Sequence, residues 1–229
     1  MNTSPSFVTR SIVAPQTLRS PAPSLPLCMT AILLLFGANT HSQAAVIFDQ
    51  SGTHTLNGTV LNSDYFGQSF LVGGTTMGLT SVDLYMDNAA NAVGNFAVAL
   101  YSNNGSNLPG TLMEVLTGSS NPATAGAYTY TGSSALLANT GYWIVAEVTG
   151  GAGSYSWRAE GNNTPETGTT VFHDVAISHN QGTSWSNNNG SSNVSLQMTV
   201  NADAAPEPSR ALLLGLGLGM TCLRRKRKQ

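Results

Sequence analysis

The stretch Leu79-Thr80-Ser81-Val82-Asp83-Leu84-Tyr85-Met86 decides the fold class. Its apolar and polar residues alternate, which is the period of a β-strand that buries only one face. Two other segments, 96–101 and 142–148, are more continuously apolar, as is typical of central strands. The remaining predicted strands are 46–48, 65–72, 170–177 and 194–200.

Turn-forming residues separate these segments, and no part of the middle region has a convincing 3.6-residue period. The turn signals are Asn57-Gly58, Asn104-Gly105, Pro109-Gly110, Asn121-Pro122, Gly150-Gly151 and residues 187–190. Many short strands with Gly-rich turns predict an all-β fold, specifically an antiparallel β-sandwich that is jelly-roll-like. The residues expected to be buried between its two sheets are Phe70, Leu84, Leu100, Trp143, Val145 and Leu196.

The charge of the chain is low and strongly segregated. Only 9% of the 229 residues are charged, against roughly 25% in an ordinary soluble domain. Between residues 45 and 205 there are ten carboxylates and one cation, Arg158, so this region carries a formal charge of −9 (1 − 10). A domain of that sign repels phosphate backbones, and we expect no nucleic acid partner.

The two cysteines, Cys28 and Cys222, lie in the apolar runs at the two ends of the chain. The middle region therefore has no disulfide and no Cys-ligated metal centre. No G-x-S-x-G sequence is present either, and the absence of a thiol excludes cysteine nucleophiles there.

The N-terminal 44 residues have the layout of a secretory signal peptide. Arg10 and Arg19 form the positive region, residues 25–36 form the apolar region, and Ser42-Gln43-Ala44 supplies the small residues that signal peptidase recognises. We predict a signal peptide over 1–44 and a β-sandwich ectodomain over 45–202. An uncleaved membrane anchor is the alternative.

The C-terminal segment, residues 203–229, contains a second apolar run. The run from Ala211 to Leu223 has thirteen residues without a charge. As a helix it would reach only about 20 Å, against about 30 Å of bilayer hydrocarbon. The cations that follow, Arg224, Arg225, Lys226, Arg227 and Lys228, favour the cytoplasmic side. We predict a short transmembrane helix that holds the chain before processing, with its bulk outside.

Pro206-Glu207-Pro208 stands directly before that helix. This tripeptide, the short Leu/Gly-rich helix and the basic end together resemble the PEP-CTERM sorting signal of Gram-negative bacteria. The resemblance implies an exosortase that recognises the tail and cuts near Pro206-Glu207-Pro208. It also implies an inner-membrane-anchored precursor that passes to the cell surface or the extracellular matrix. A plain tail anchor is the alternative.

The middle region resembles the choice-of-anchor domain of the R type. The matching pieces are Phe66-Gly67-Gln68-Ser69-Phe70, Val98-Ala99-Leu100-Tyr101, Leu108-Pro109-Gly110, Gly141-Tyr142-Trp143-Ile144-Val145 and Tyr155-Ser156-Trp157. The resemblance implies a sandwich architecture and a surface location, and it implies no settled activity.

Carboxylates and histidines suggest two sites of weak specificity. Asp83 and Asp87 could bind a structural Ca²⁺, and no other cofactor is expected. His173 and His179 would stand about 20 Å apart on a regular strand, so they could share a metal only if a turn intervened at residues 178–182, and we interpret them as exposed polar residues. A glycoside-acting enzyme would need two converging carboxylates, and the candidates are Asp83, Asp87, Glu114, Glu147, Glu160 and Glu166.

Three aromatic residues suggest carbohydrate binding. Trp157 with Tyr155 beside it, and Trp185 in a loop rich in Gln, Ser and Asn, could stack on sugar rings while amides bind the hydroxyls. The alternative is that both tryptophans fill the ends of the sandwich. We therefore predict a non-enzymatic surface or matrix protein that associates with exopolysaccharide. The alternative function is a secreted glycoside-acting enzyme that uses paired carboxylates.

Overall fold

The structure is a computed structural model, and it describes residues 44–161, Thr167, 174–188 and 194–204. Residues 1–43 of the predicted signal peptide, the residues of the sorting signal from Pro206 onward, His173 and Glu166 lie outside these residues. Within the described residues no helix is long and apolar enough to cross a membrane.

In the part of the chain that the structure describes, fourteen strands form two sheets, and every strand pair is antiparallel. The first sheet contains β1 (Ala45–Gln50), β2 (Leu56–Leu61), β4 (Met77–Asn91), β7 (Gly126–Thr131), β8 (Ala135–Leu136), β10 (Ser154–Glu160), β13 (Ser195–Leu196) and β14 (Met198–Ala204). The second contains β3 (Tyr65–Leu71), β5 (Phe96–Asn103), β6 (Pro109–Val115), β9 (Gly141–Val148), β11 (Val175–Ser178) and β12 (Ser186–Asn187).

The chain crosses repeatedly between the sheets. The first sheet has the order β1-β14-β4-β10-β13, with β2 added beside β10, and with β7 and β8 beside β4. The second sheet has the order β12-β11-β3-β9-β5-β6. Non-consecutive strands therefore lie side by side, and the fold is an antiparallel β-sandwich.

The core lies between the sheets and contains alternate residues from both. Phe48, Leu84 and Leu196 from the first sheet meet Phe70 and Leu100 from the second, and each is at most 1% exposed. Rings from neighbouring strands pack directly, since the Phe70 and Tyr142 ring centroids are 5.9 Å apart. Four of the six predicted core residues, Phe70, Leu84, Leu100 and Leu196, are confirmed there.

Trp143 and Val145 are fully buried, but they are not between the two sheets. In β9, Tyr142, Ile144 and Ala146 belong to the central core, so the intervening residues point to the opposite face. Trp143 and Val145 form a separate cluster there. The prediction that they lie between the sheets was wrong, because a strand that is apolar at every position can bury both faces.

Two predicted turns lie inside strands. Asn57-Gly58 belongs to β2, where Gly58 pairs with Trp157 of β10. A Cβ at Gly58 would lie 2.9 Å from the Leu196 side chain, so this glycine permits a close approach between strands. Pro109-Gly110 opens β6 at the edge of the second sheet, a position at which proline is tolerated.

Candidate functional site

Two of the three predicted sugar-binding residues are core residues. Trp157 and Tyr155 alternate on β10, and both are 0% exposed. The Trp157 indole donates a hydrogen bond to the Gln197 carbonyl at 2.8 Å. The Tyr155 hydroxyl accepts from the amide of Gly94 at 2.9 Å and donates to Asn121 at 3.1 Å. Neither ring has a free face for a sugar, so this part of the prediction is contradicted.

Trp185 is placed differently, because it is only partly buried. It lies just before β12 and packs on the outer face of the second sheet, against the cluster that contains Trp143 and Val145. Its ring stands edge-on to Tyr101, with centroids 6.4 Å apart and an interplanar angle of 68°. Trp185 thus remains a candidate for ligand contact, with Tyr101 as one of its aromatic neighbours.

Side-chain hydrogen bonds shape the loop that carries Trp185. The Ser178 hydroxyl oxygen accepts from the amide of Gly182 at 2.8 Å, and the Asn180 side-chain oxygen accepts from the amide of Ser184 at 2.9 Å. Gly182 has a φ of +77°, in the left-handed region that disfavours other residues. These contacts turn the chain back so that Trp185 lies over the sheet.

The floor beneath Trp185 is apolar and tightly packed. It consists of Trp143 and Val145 from β9, Tyr65 from β3 and Ala176 from β11, all buried. The Trp143 indole donates to Asn103 at 3.2 Å, which holds the ring in place. This outer face is therefore a second small core and supports the more exposed rings rigidly.

Glu147 lies at one side of this floor. It follows Val145 by two residues on β9 and so projects from the same face. Phe66 pairs with Ala146, which puts Tyr65 beside Glu147 on the neighbouring strand. Glu147 is partly buried, and no hydrogen bond to its carboxylate is found among the described residues. Tyr65, Tyr101, Glu147 and Trp185 together are termed the aromatic patch.

Partial desolvation shapes the electrostatics of the aromatic patch. Burial raises the pKa of the Glu147 carboxyl above its usual value, since the charged form loses hydration. Burial and, to a smaller extent, the charge of Glu147 raise the pKa of Tyr65. The pKa of Tyr101 is raised to about 12 by burial first, and then by the charges of Glu147 and Tyr65. Tyr65 and Tyr101 therefore stay uncharged at neutral pH, and Glu147 lies beside them as a partly desolvated carboxyl group.

The cationic and histidine side chains of the described residues are paired elsewhere. Arg158 donates to Asp87 at 2.9 Å on the first sheet, and His54 contacts the other oxygen of Asp87 at 3.0 Å. His179 contacts Asp64 at 3.0 Å. Among the described residues, Glu147 therefore receives no cation from its own chain.

The predicted Ca²⁺ ligands do not converge. Asp83 and Asp87 lie four residues apart on β4, a separation of about 13 Å along a strand. Asp83 accepts hydrogen bonds from Thr129 and Asn201, while Asp87 faces Arg158. No group of three or more acidic, His or Cys ligands occurs among the described residues.

The other candidate carboxylates have structural surroundings. Burial raises the pKa of Glu114, but hydrogen bonds from Ser134 and Ser133 outweigh this effect and leave its pKa lowered. The shortest of them joins the Ser134 hydroxyl to the carboxylate at 2.6 Å. Glu160 is 4% exposed, at the far end of β10 from Tyr155. Neither is a member of the aromatic patch.

The sequence analysis did not identify Tyr65 and Tyr101 as site residues. Both lie in predicted strands, and nothing in their local sequence marks them as members of a surface site. The alternation of β9 does carry a usable signal, because Trp143, Val145 and Glu147 fall on one face. The partners of that face come from β3, β5 and the β11–β12 loop, which only the strand order brings together.

A scan against protein-family models and a search of curated proteins each found no match to this chain.

Proposed function

We propose that the protein is an exported, non-enzymatic protein of the cell surface or extracellular matrix that holds exopolysaccharide through its aromatic patch. The observation that carries the binding proposal is the placement of Trp185, a partly exposed ring edge-on to Tyr101 over a rigid floor. Aromatic rings held in this way bind the apolar faces of sugars, while nearby polar groups bind the hydroxyls.

Export and sorting rest on the two ends of the chain. The positive and apolar regions before Ala45 support cleavage by signal peptidase. Pro206-Glu207-Pro208, the short apolar segment and the cations after Leu223 support recognition by an exosortase in a Gram-negative bacterium. We infer a precursor held in the inner membrane by its C-terminal helix and then released to the surface or matrix.

The finer architecture is part of the same proposal. A jelly-roll-like sandwich, of the kind implied by the choice-of-anchor resemblance, is supported by the way successive strands β2 to β5 alternate between the sheets. Such a rigid sandwich suits a protein whose role is to hold a ligand.

The alternative function, a glycoside-acting enzyme, is favoured by one observation. Glu147 has the raised pKa expected of a general acid. However, burial alone accounts for that shift, whereas a second carboxylate within a few ångströms would raise it further. Among the described residues Glu147 therefore has no partner carboxylate for the two-carboxylate mechanism, which is why we favour binding over hydrolysis.

Mass spectrometry of the mature protein tests sorting. In cells with an exosortase we expect an N-terminus near Ala45 and a C-terminus near residues 206–208. An intact end that retains residues 224–229 in such cells would indicate a simple tail anchor.

A glycan array, followed by titration of the best ligand, tests binding. We expect the exported protein to bind a polysaccharide and Trp185→Ala to weaken it by about 1–3 kcal/mol. The Trp185→Ala variant must remain folded by circular dichroism. Binding that is unchanged in this variant would rule out the aromatic patch, and release of reducing sugar that Glu147→Gln abolishes would favour the enzyme.

A further inference from the structure

Glu147 of the aromatic patch has no counter-ion among the residues that the structure describes. The only cation between residues 45 and 205, Arg158, lies on the first sheet and pairs with Asp87. The described histidines are engaged as well, His54 with Asp87 and His179 with Asp64. Among the described residues, no cation of this chain is left to pair with Glu147, so the carboxylate is available to a positively charged ligand.

Glu147 also loses hydration without receiving hydrogen bonds in return from the described residues. An ionised carboxylate in that situation gains more from an incoming cation than an exposed carboxylate does, because part of its desolvation cost is already met in the free protein. Charge-assisted hydrogen bonds between ammonium groups and carboxylates are about twice as strong as neutral ones. Glu147 therefore favours a ligand that donates a hydrogen bond from a positively charged nitrogen.

The surrounding groups restrict that ligand further. Trp185 and Tyr101 are both partly exposed, and their faces attract cations as well as the apolar face of a sugar ring. The hydroxyls of Tyr65 and Tyr101 have no hydrogen-bond partner among the described residues, and each can donate or accept. A lysine side chain would leave these hydroxyls unused, whereas a sugar ring carries hydroxyls next to its amino group.

We propose that the aromatic patch binds an amino-sugar polymer with free, protonated amino groups, one of which pairs with Glu147 while its ring stacks on Trp185. This inference rests on the proposed function, since it names the class of polysaccharide that the same patch holds. Hexosamine units without the N-acetyl group have this chemistry, and acetylation removes both the charge and the donor.

The test compares three hexamers of equal length by calorimetric titration of the exported protein: β-1,4-linked glucosamine, its fully N-acetylated form, and lysine. The pH is set slightly below the pKa of the sugar amine. We expect the glucosamine hexamer to bind about tenfold more tightly than the acetylated hexamer. Trp185→Ala should weaken both sugar hexamers, because they share the ring.

Glu147→Gln is the decisive variant, and Asp83→Asn is its matched control. Each removes one negative charge from a domain of formal charge −9, but Asp83 lies on the outer face of the first sheet. We expect Glu147→Gln to reduce the tenfold preference to about one, and Asp83→Asn to leave it at the wild-type value. A preference that both variants reduce equally would reveal general attraction of polycations and overturn the proposal.

The remaining outcomes separate this proposal from the proposed function. Equal, Trp185-dependent affinity for both sugar hexamers would overturn the amino-sugar inference and leave carbohydrate binding intact. If Trp185→Ala left glucosamine binding unchanged, both the amino-sugar inference and the proposed function of the aromatic patch would be contradicted. If the lysine hexamer bound as tightly as the glucosamine hexamer and depended equally on Glu147, the amino-sugar inference would be overturned. The result would favour a basic protein partner instead.

Discussion

The two outer faces of the sandwich differ in the partners of their acidic residues. On the first sheet, Asp83 accepts a hydrogen bond from Thr129 at 2.5 Å, and Asp87 pairs with Arg158 at 2.9 Å. On the second sheet, Glu147 lies beside the rings of the aromatic patch, and burial raises its pKa. Asp83 and Asp87 therefore have partners, whereas among the described residues Glu147 has none, and on the first sheet one oxygen of Asp203 also lacks a hydrogen bond.

The difference distinguishes polar groups that are hydrogen-bonded within the protein from polar groups that can still bind a ligand. Asp49, Tyr85 and Thr199 extend the hydrogen-bonded network on the first sheet, with Thr199 donating to Asp49 at 3.0 Å. Such a network stabilises the face and leaves few groups free to bind. The second face carries Glu147, a partly desolvated carboxyl group whose ionisation costs folding free energy, which is the pattern expected where stability is exchanged for binding.

The largest effect should come from the floor of the aromatic patch. Trp143→Ala removes a fully buried indole, and we expect unfolding free energy to fall by about 3–5 kcal/mol. Trp185→Ala, on the partly exposed ring above it, should cost about 1–2 kcal/mol. Urea denaturation measures both. A Trp143→Ala loss below about 1 kcal/mol would mean that this outer face is not a packed second core.

The second largest loss of stability is expected from breaking the ion pair between Arg158 and Asp87 on the first sheet. Asp87→Asn leaves Arg158 without its carboxylate, and since both side chains are only about a quarter exposed (27% and 23%), we expect a loss of about 1–2 kcal/mol. Asp83→Asn, on the same strand and face, retains an acceptor for Thr129 and should lose less than about 1 kcal/mol. Equal losses in the two variants would show that Arg158 contributes nothing measurable.

The loop that carries Trp185 depends on one left-handed glycine. Gly182→Ala puts a side chain at φ +77°, and we expect a loss of about 1 kcal/mol. Gly105→Ala is the control, because no atom lies within 4 Å of its added Cβ and its φ is not positive. Thermal denaturation compares the two variants. If Gly182→Ala were as well tolerated as Gly105→Ala, the loop conformation would not be strained by a side chain.

The smallest expected change is a gain in stability, from Glu147→Gln. Because burial raises the folded-state pKa of Glu147 above its unfolded value, the folded state binds more protons and stability falls as pH rises through that pKa. Glu147→Gln should therefore stabilise the protein at neutral pH by about 0.5–1 kcal/mol. The gain should vanish as the pH falls below the unfolded-state pKa. Denaturation curves at several pH values test this, and a destabilised variant at neutral pH would contradict it.

Much of the fold could be predicted from local patterns. The alternation at 79–86 lies within β4, and the segments 65–72, 96–101 and 142–148 correspond to β3, β5 and β9 within one to two residues. Period-two patterning and Gly-rich turns are local properties, so they can be recognised without the tertiary structure. The predictions failed where local signals were ambiguous, as at Asn57-Gly58, whose turn chemistry also suits a close strand approach.

The candidate site could be predicted only in part. Trp185 was selected as a loop tryptophan among amides, and it does lie at the protein surface. Trp157 and Tyr155 were selected for the same chemical reasons, yet β10 pairs with β2 on one side and with β4 and β13 on the other, so both rings point into the core. Residue type describes what a ring can do, while strand order decides whether it is accessible.

The sequence by itself determined the all-β class, the segregation of charge and the features at both chain ends that underlie the proposal of export and sorting. Those properties depend on residue type and spacing along the chain. Only the tertiary structure decided that Tyr65, Tyr101, Glu147 and Trp185 share one surface, because they lie on β3, β5, β9 and the β11–β12 loop. The pairing of strands distant in the chain is a property of the whole sandwich, since it depends on which faces bury together.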